Sequence, residues 1–200
     1  MTLGEVRREA LRLMFAGYED ILEEMTFSEL YQNERYQPYV MGIDMGVNRA
    51  VSYLSSQNLL PTVYRTGVAW RLPSGDVGLD TGAFAPSVGK VSGVEDEEMD
   101  GVAFHTEGTT IVVPFSYEGR PLRVRYSPKW VRVDNMTPDD YELPLSDEVA
   151  ALLPYWVKSE LYEEENPSAA RLARSYFLEG ADRLRQNDGE GVSFVVKYHL

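Results

Sequence analysis

The 200-residue chain has no cysteine, which excludes disulfides, thiolate metal centres and thiol nucleophiles. It has two histidines, His105 and His199, too few and too far apart for a histidine zinc site or a histidine proton relay. No apolar run approaches the roughly 18–20 residues that cross a bilayer. The opening MTLGEVRREA also lacks the uninterrupted apolar stretch of a secretory signal. The expectation is no membrane association and a reducing cytoplasm as the place of synthesis. Basic charge is scarce as well. Nineteen Lys and Arg stand against 32 Asp and Glu, for a net charge of −13 and a pI near 4.6. That balance excludes a surface gripping nucleic-acid phosphates broadly, and leaves open a protein that surrounds DNA without holding it. No nucleophile elbow, phosphate loop, dinucleotide fingerprint or H-E-x-x-H motif occurs, and the glycines of Ser74–Gly82 do not fit the Rossmann spacing. The expectation is a non-enzyme with no catalytic residue, metal or cofactor.

What is present is ample material for a core: 44% of residues are hydrophobic and 12% aromatic. Thr2-x-x-Glu5 is a capping-box pattern, and apolar residues from Leu3 to Met25 recur at helical spacing, predicting a helix over 3–25 bent at Gly17. Arg7, Arg8 and Arg12 fall largely on its polar face. Ile43, Val47, Ala50, Val51 and Leu54 predict a second helix ending near Asn58 and Pro61. From about residue 62 the period drops to 2. Val68–Leu72, Val102–His105, Thr109–Tyr117 and Leu122–Tyr126 read as strands, the last three as an antiparallel meander, and Trp130–Val133 as a further strand. Residues 73–93, rich in Gly and Pro, read as a long loop.

Helical character resumes at Ser146, a candidate N-cap, with Pro154 expected as a kink. Asn166-Pro167 restarts a last helix, whose buried face is expected to hold Ala169, Leu172, Ala173, Tyr176, Phe177 and Leu184. The final GVSFVVKYHL alternates as a strand, which either joins the chain's own β region or augments a partner's sheet. The expected fold is therefore α+β: a helical bundle built from the N- and C-terminal helices (1–61 and 136–189), an antiparallel β-rich insertion (62–135), and a C-terminal strand or docking tail (190–200).

Four features carry candidate chemistry. Asp96-x-Glu98-x-Asp100-Gly101-x5-Glu107 follows the spacing of an EF-hand calcium loop; the same residues also read as an acidic solvated loop, since the flanks are not helical. His105 beside Glu107 is either a proton-transfer pair or a surface pair. Residues 118–133 hold five basic residues against Glu118, with Arg123 and Arg125 interleaved among Leu122, Val124 and Tyr126. They are either a partner-binding patch or the outward face of a strand. Residues 136–166 carry nine acids against Lys158 alone, and opposite signs on one chain suit head-to-tail contact between identical subunits. Candidate partner-binding residues are Phe194, Val196, Tyr198, Arg123 and Arg125.

The stretch from Leu143 to Leu184 resembles the closing segment of tailed-bacteriophage head–tail connector (adaptor, or head-completion) proteins. The resemblance lies in Leu153-Pro154-Tyr155, Ser159-Glu160-Leu161-Tyr162, Glu165-Asn166-Pro167 and Tyr176-Phe177. LGEVRREALRLMF and YVMGIDMGVNRAVSYL are similar to that family's first helices. About 80 of the 200 residues carry the resemblance, all in the flanking helices. It implies a structural, non-enzymatic virion protein of the phage neck, assembled in the host cytoplasm: a dodecameric ring contacting the portal and tail or neck proteins, with genomic DNA passing through its lumen unbound. A lumen lined by acids repels phosphate. The alternative reading is a carbohydrate- or calcium-binding β module on a helical scaffold.

Overall fold

The computed structural model describes residues 1–15 and 26–188. The fold is α+β, with helices from both ends of the chain flanking an antiparallel β region. Among the described residues, those of 1–60 and 131–188 form one compact unit, and Pro61–Trp130 forms another. No helix among the described residues is long and apolar enough to cross a membrane.

In the helical unit, α1 (Leu3–Met14) starts at the anticipated capping box. Thr2 Oγ1 accepts the Glu5 N–H at 3.2 Å and Glu5 Oε2 accepts the Thr2 N–H at 2.7 Å. The same box recurs at Thr26 and Glu29, opening α2 (Phe27–Gln32). The expected continuous helix over 3–25 is interrupted: Phe15 leaves helical backbone with φ −115° and ψ 46°. The α1 carbonyls released there are taken by side chains, Lys158 Nζ donating to Leu13 O and Tyr162 Oη to Met14 O. Residues 16–25, including the expected bend at Gly17, lie outside the described residues.

α3 (Gln37–Ser56) buries Val40, Ile43, Val47, Ala50, Val51 and Leu54. Its Gly42 and Gly46 lie against Leu161 and Val157 of α5 (Leu153–Leu161). A Cβ on Gly46 would stand 3.1 Å from Val157 Cγ2, so the missing side chains permit the close crossing. Pro154 does not kink one long helix, as expected from sequence. α4 (Asp147–Ala150) ends before it, and Pro154 sits in the first turn of a separate α5, where its missing N–H costs nothing.

α6 (Pro167–Asp188) begins at the expected place, Asn166 Oδ1 accepting the Ala169 N–H at 3.2 Å. Its buried stripe is Ala170, Ala173, Phe177 and Ala181, whereas Leu172 and Tyr176 are 55% and 51% exposed. The alanines let α6 approach closely enough for Phe177 to pack on Trp156 and Tyr53, with ring centroids 4.7 and 5.6 Å away. The larger apolar stripe is thereby turned outward, against the sequence expectation.

The β unit holds two antiparallel sheets. One is ordered β1 (Val63–Val68), β7 (Pro121–Pro128), β4 (Val88–Glu95). The other is ordered β2 (Trp70–Arg71), β3 (Val77–Asp80), β6 (Thr110–Val113), β5 (His105–Glu107). Val63, Leu79, Val94, Ile111, Leu122, Val124 and Tyr126 meet in a shared core. The expected meander breaks after β6. Pro114 has no N–H to donate to a ladder, a single 3₁₀ turn follows (Phe115–Tyr117), and Gly119 turns with φ +77°. β7 is thus carried into the first sheet, between β1 and β4. Residues 73–93 are not one loop, since they include β3 and the start of β4. Trp130–Val133 is not a strand; Val133 is instead tied to α3, as described below.

Candidate functional site

β7 alternates as its sequence requires. Leu122, Val124 and Tyr126 face the core, and Arg123 and Arg125 lie on the opposite face. Antiparallel register places Tyr64 opposite Arg125 and Thr66 opposite Arg123 on β1, with Glu95 opposite Arg123 on β4. The Arg123 guanidinium stacks 4.0 Å over the Tyr64 ring. Its Nη1 lies 3.3 Å from Met99 Sδ and 3.9 Å from Glu95 Oε2. Glu95 Oε2 is buried without a hydrogen bond, so the nearby Arg123 charge compensates it electrostatically. Arg125 Nε donates to Ser92 Oγ at 3.2 Å. Arg123 and Arg125 are therefore held in place as a cationic, aromatic-backed sheet face. Arg132, from the same basic stretch, belongs to the helical unit. Phe194, Val196 and Tyr198 lie outside the described residues.

The other sequence candidates resolve locally. Asp96 Oδ1 accepts the N–H groups of Glu98 (3.1 Å) and Asp100 (2.9 Å), and Met99 takes φ +67°. The acidic stretch is a tight turn closed by a Glu95–Gly101 bridge after a strand, not a loop between two helices. No three His, Asp or Glu side chains among the described residues are grouped to hold a metal ion. His105 Nε2 stands 3.2 Å from Glu107 Oε1, with both side chains about two-thirds exposed on β5.

The helical unit contains a polar centre that helical periodicity places on the wrong face. Arg7 is 2% exposed, and every guanidinium donor is used. Nε and Nη2 donate to Asp44 Oδ1 (3.0 Å) and Oδ2 (2.7 Å), and Nη2 also to Asp134 O (2.9 Å). Nη1 donates to Asp139 Oδ1 (2.8 Å) and Thr137 O (3.0 Å). Its other face lies 4.0 Å over the Phe27 ring. Burial opposes the charge, but hydrogen bonds and attraction from Asp44 and Asp139 outweigh it and raise the pKa. Asn48 extends the clamp, donating to Val133 O (2.7 Å) and accepting from Val133 N–H (3.1 Å). The 133–139 segment is thus fastened to α1 and α3. The available signal was Asp44, which shares an i, i+4, i+7, i+11 stripe with buried Val40, Val47 and Val51.

The acids of 136–166 divide in two. Asp139 is held by Arg7, Asp147 accepts from the Met1 ammonium (2.7 Å), Glu160 accepts from Trp156 Nε1 (2.9 Å) and lies 3.4 Å from Arg49, and Glu165 accepts from Tyr39 Oη (2.6 Å). Asp140, Glu142, Glu148, Glu163 and Glu164 are exposed. On the same unit, exposed Tyr176 of α6 packs on Tyr155 of α5, with centroids 5.8 Å apart, and exposed Leu172 lies one turn away. No protein-family model and no curated protein sequence matches the chain.

Proposed function

We propose that the chain is a structural subunit of a head–tail connector ring in a tailed bacteriophage, seated beneath the portal, with genomic DNA passing through unbound. The observation that carries this reading is the outward apolar stripe of α6. Leu172 and Tyr176 stay exposed on a 22-residue helix whose opposite stripe is well packed. Such a stripe suits lateral packing of one subunit's helices on the next. The segments that resemble connector proteins fold into the helical unit that displays it.

Charge supports the same reading. Residues 61–130 carry seven basic and nine acidic residues, so −11 of the net −13 belongs to the flanking helical sequence. Repeated around a ring, that charge repels DNA phosphate and keeps the genome mobile. The Arg123–Tyr64–Arg125 face, of opposite sign, is assigned to contact an acidic portal, tail or neck protein.

The test is co-expression with a tailed-phage portal protein from the genome that encodes the chain. The chain is expected to co-purify with portal rings, and deletion of Val192–Leu200 to weaken the association. A chain that ignores portal rings and instead binds a sugar or calcium tightly overturns the reading.

A further inference from the structure

β1 is an edge strand with an unused side. It lies outermost in its sheet and pairs in unbroken register with β7. Among the described residues, no backbone–backbone hydrogen bond leaves Val63–Val68 except to β7. Only the Arg65 side chain reaches that backbone, its Nη1 donating to Tyr64 O at 3.2 Å. The other edges are poorer templates. β4 breaks register twice against β7, and its far end is taken by the Glu95–Gly101 bridge. β2 has two residues and β5 three. A six-residue open edge such as β1 takes up an extended segment whose backbone completes the ladder.

The chain carries such a segment within reach. In the last turn of α6, Arg185 donates to Gln57 Oε1 at the C-cap of α3. β1 begins six residues after Gln57, so Val63 is at most about 22 Å from it. After Asp188 stand the 12 residues GEGVSFVVKYHL, with an extended reach of about 40 Å. Gly189 and Gly191 set few steric limits on how the chain leaves the helix. Phe194, Val196 and Tyr198 then alternate with Ser193, Lys197 and His199 at the other parity, Val195 excepted.

That alternation matches the two sides of β1. On the core side, half-buried Phe84 lies under Gly67 and against Tyr126, so apolar surface continues at this edge. On the other side, Tyr64 and Thr66 stand opposite Arg125 and Arg123, where polar residues belong. A tether on the same molecule presents a segment at millimolar effective concentration, which a second copy in dilute solution does not match.

We propose that Val192–Tyr198 of the same chain adds to β1 as a fourth strand of this sheet. Phe194, Val196 and Tyr198 face the core side, and Lys197 lies toward the Arg123 face. The contact does not depend on the connector reading.

The absence of cysteine lets the pairing be read directly. In full-length chains, Thr66→Cys is combined in turn with Ser193→Cys, Val195→Cys or Lys197→Cys and oxidised at low concentration. One of these combinations is expected to close a disulfide within a single chain, well above a Glu107→Cys/Val195→Cys control. Hydrogen exchange gives a second readout. The β1 segment is expected to exchange about tenfold faster in Phe194→Asp/Val196→Asp, with α3 unchanged. Control-level yields in every combination overturn the proposal, as does β1 exchange that ignores the substitutions. Disulfides that form only between chains overturn docking by the chain's own tail and assign the strand to a second copy.

Discussion

Arg7 and Asp44 form a two-pronged ion pair inside the helical unit, with side chains only 2% and 9% exposed. Removing one partner of a buried pair strands the other charge, a loss of about 3–5 kcal/mol. Arg7→Ala is therefore expected to lower unfolding free energy by about that amount in urea titrations. Arg7→Lys is expected to recover only part, since an ammonium cannot fork across a carboxylate. Arg7→Met/Asp44→Leu is expected to lose less than Arg7→Ala. A loss under about 1 kcal/mol for Arg7→Ala contradicts the assigned role.

Asn48 tests the same clamp from the other side. Asn48→Ala leaves the Val133 N–H and C=O without this partner, and Val133 is 3% exposed. The expected loss is about 1–3 kcal/mol. Faster limited trypsin cleavage after the neighbouring Arg132 is the local readout; unchanged cleavage contradicts the clamp.

Tyr39 predicts the alkaline behaviour. Its hydrogen bond to Glu165, then burial and the Glu165 charge, push its pKa up to about 12 from the ordinary tyrosine value of 10.0. Burial and the Glu165 charge also raise Tyr162. A folded-state pKa raised above the unfolded one gives stability that is complete below about pH 10 and lost as pH rises toward about 12. Thermal midpoints are expected to fall through that window, and less steeply in Tyr39→Phe.

Leu172 and Tyr176 separate assembly from folding. Both are exposed, so Leu172→Ser/Tyr176→Ser is expected to shift stability by no more than about 1 kcal/mol while weakening self-association and recovery with portal rings. Unchanged assembly by sedimentation removes the α6 stripe from the account.

Local chemistry was the legible part of this sequence. The Thr2–Glu5 box, the Asn166-Pro167 start and the alternation that turns Arg123 and Arg125 away from Leu122, Val124 and Tyr126 depend on neighbours a few residues apart. Long-range choices were not legible. Alternation fixes which face of β7 is buried but not which strands it pairs with, so its transfer into the other sheet was missed. On α6, hydrophobicity favoured Leu172 and Tyr176, yet close approach selected the alanine stripe around Phe177. Arg7 was hidden because its acceptors are Asp44, Asp139 and two carbonyls distant in sequence, and carbonyls leave no sequence signature. The calcium-like spacing likewise gave no hint that Asp96 is spent on backbone N–H groups.

Electron microscopy of the chain purified with its portal protein tests the central claim most directly. The account predicts a closed ring of chains coaxial with the portal, acidic helical surface toward the lumen and α6 stripes covered by neighbouring subunits. Chains that stay single, or that decorate the portal without closing a ring around its axis, contradict it.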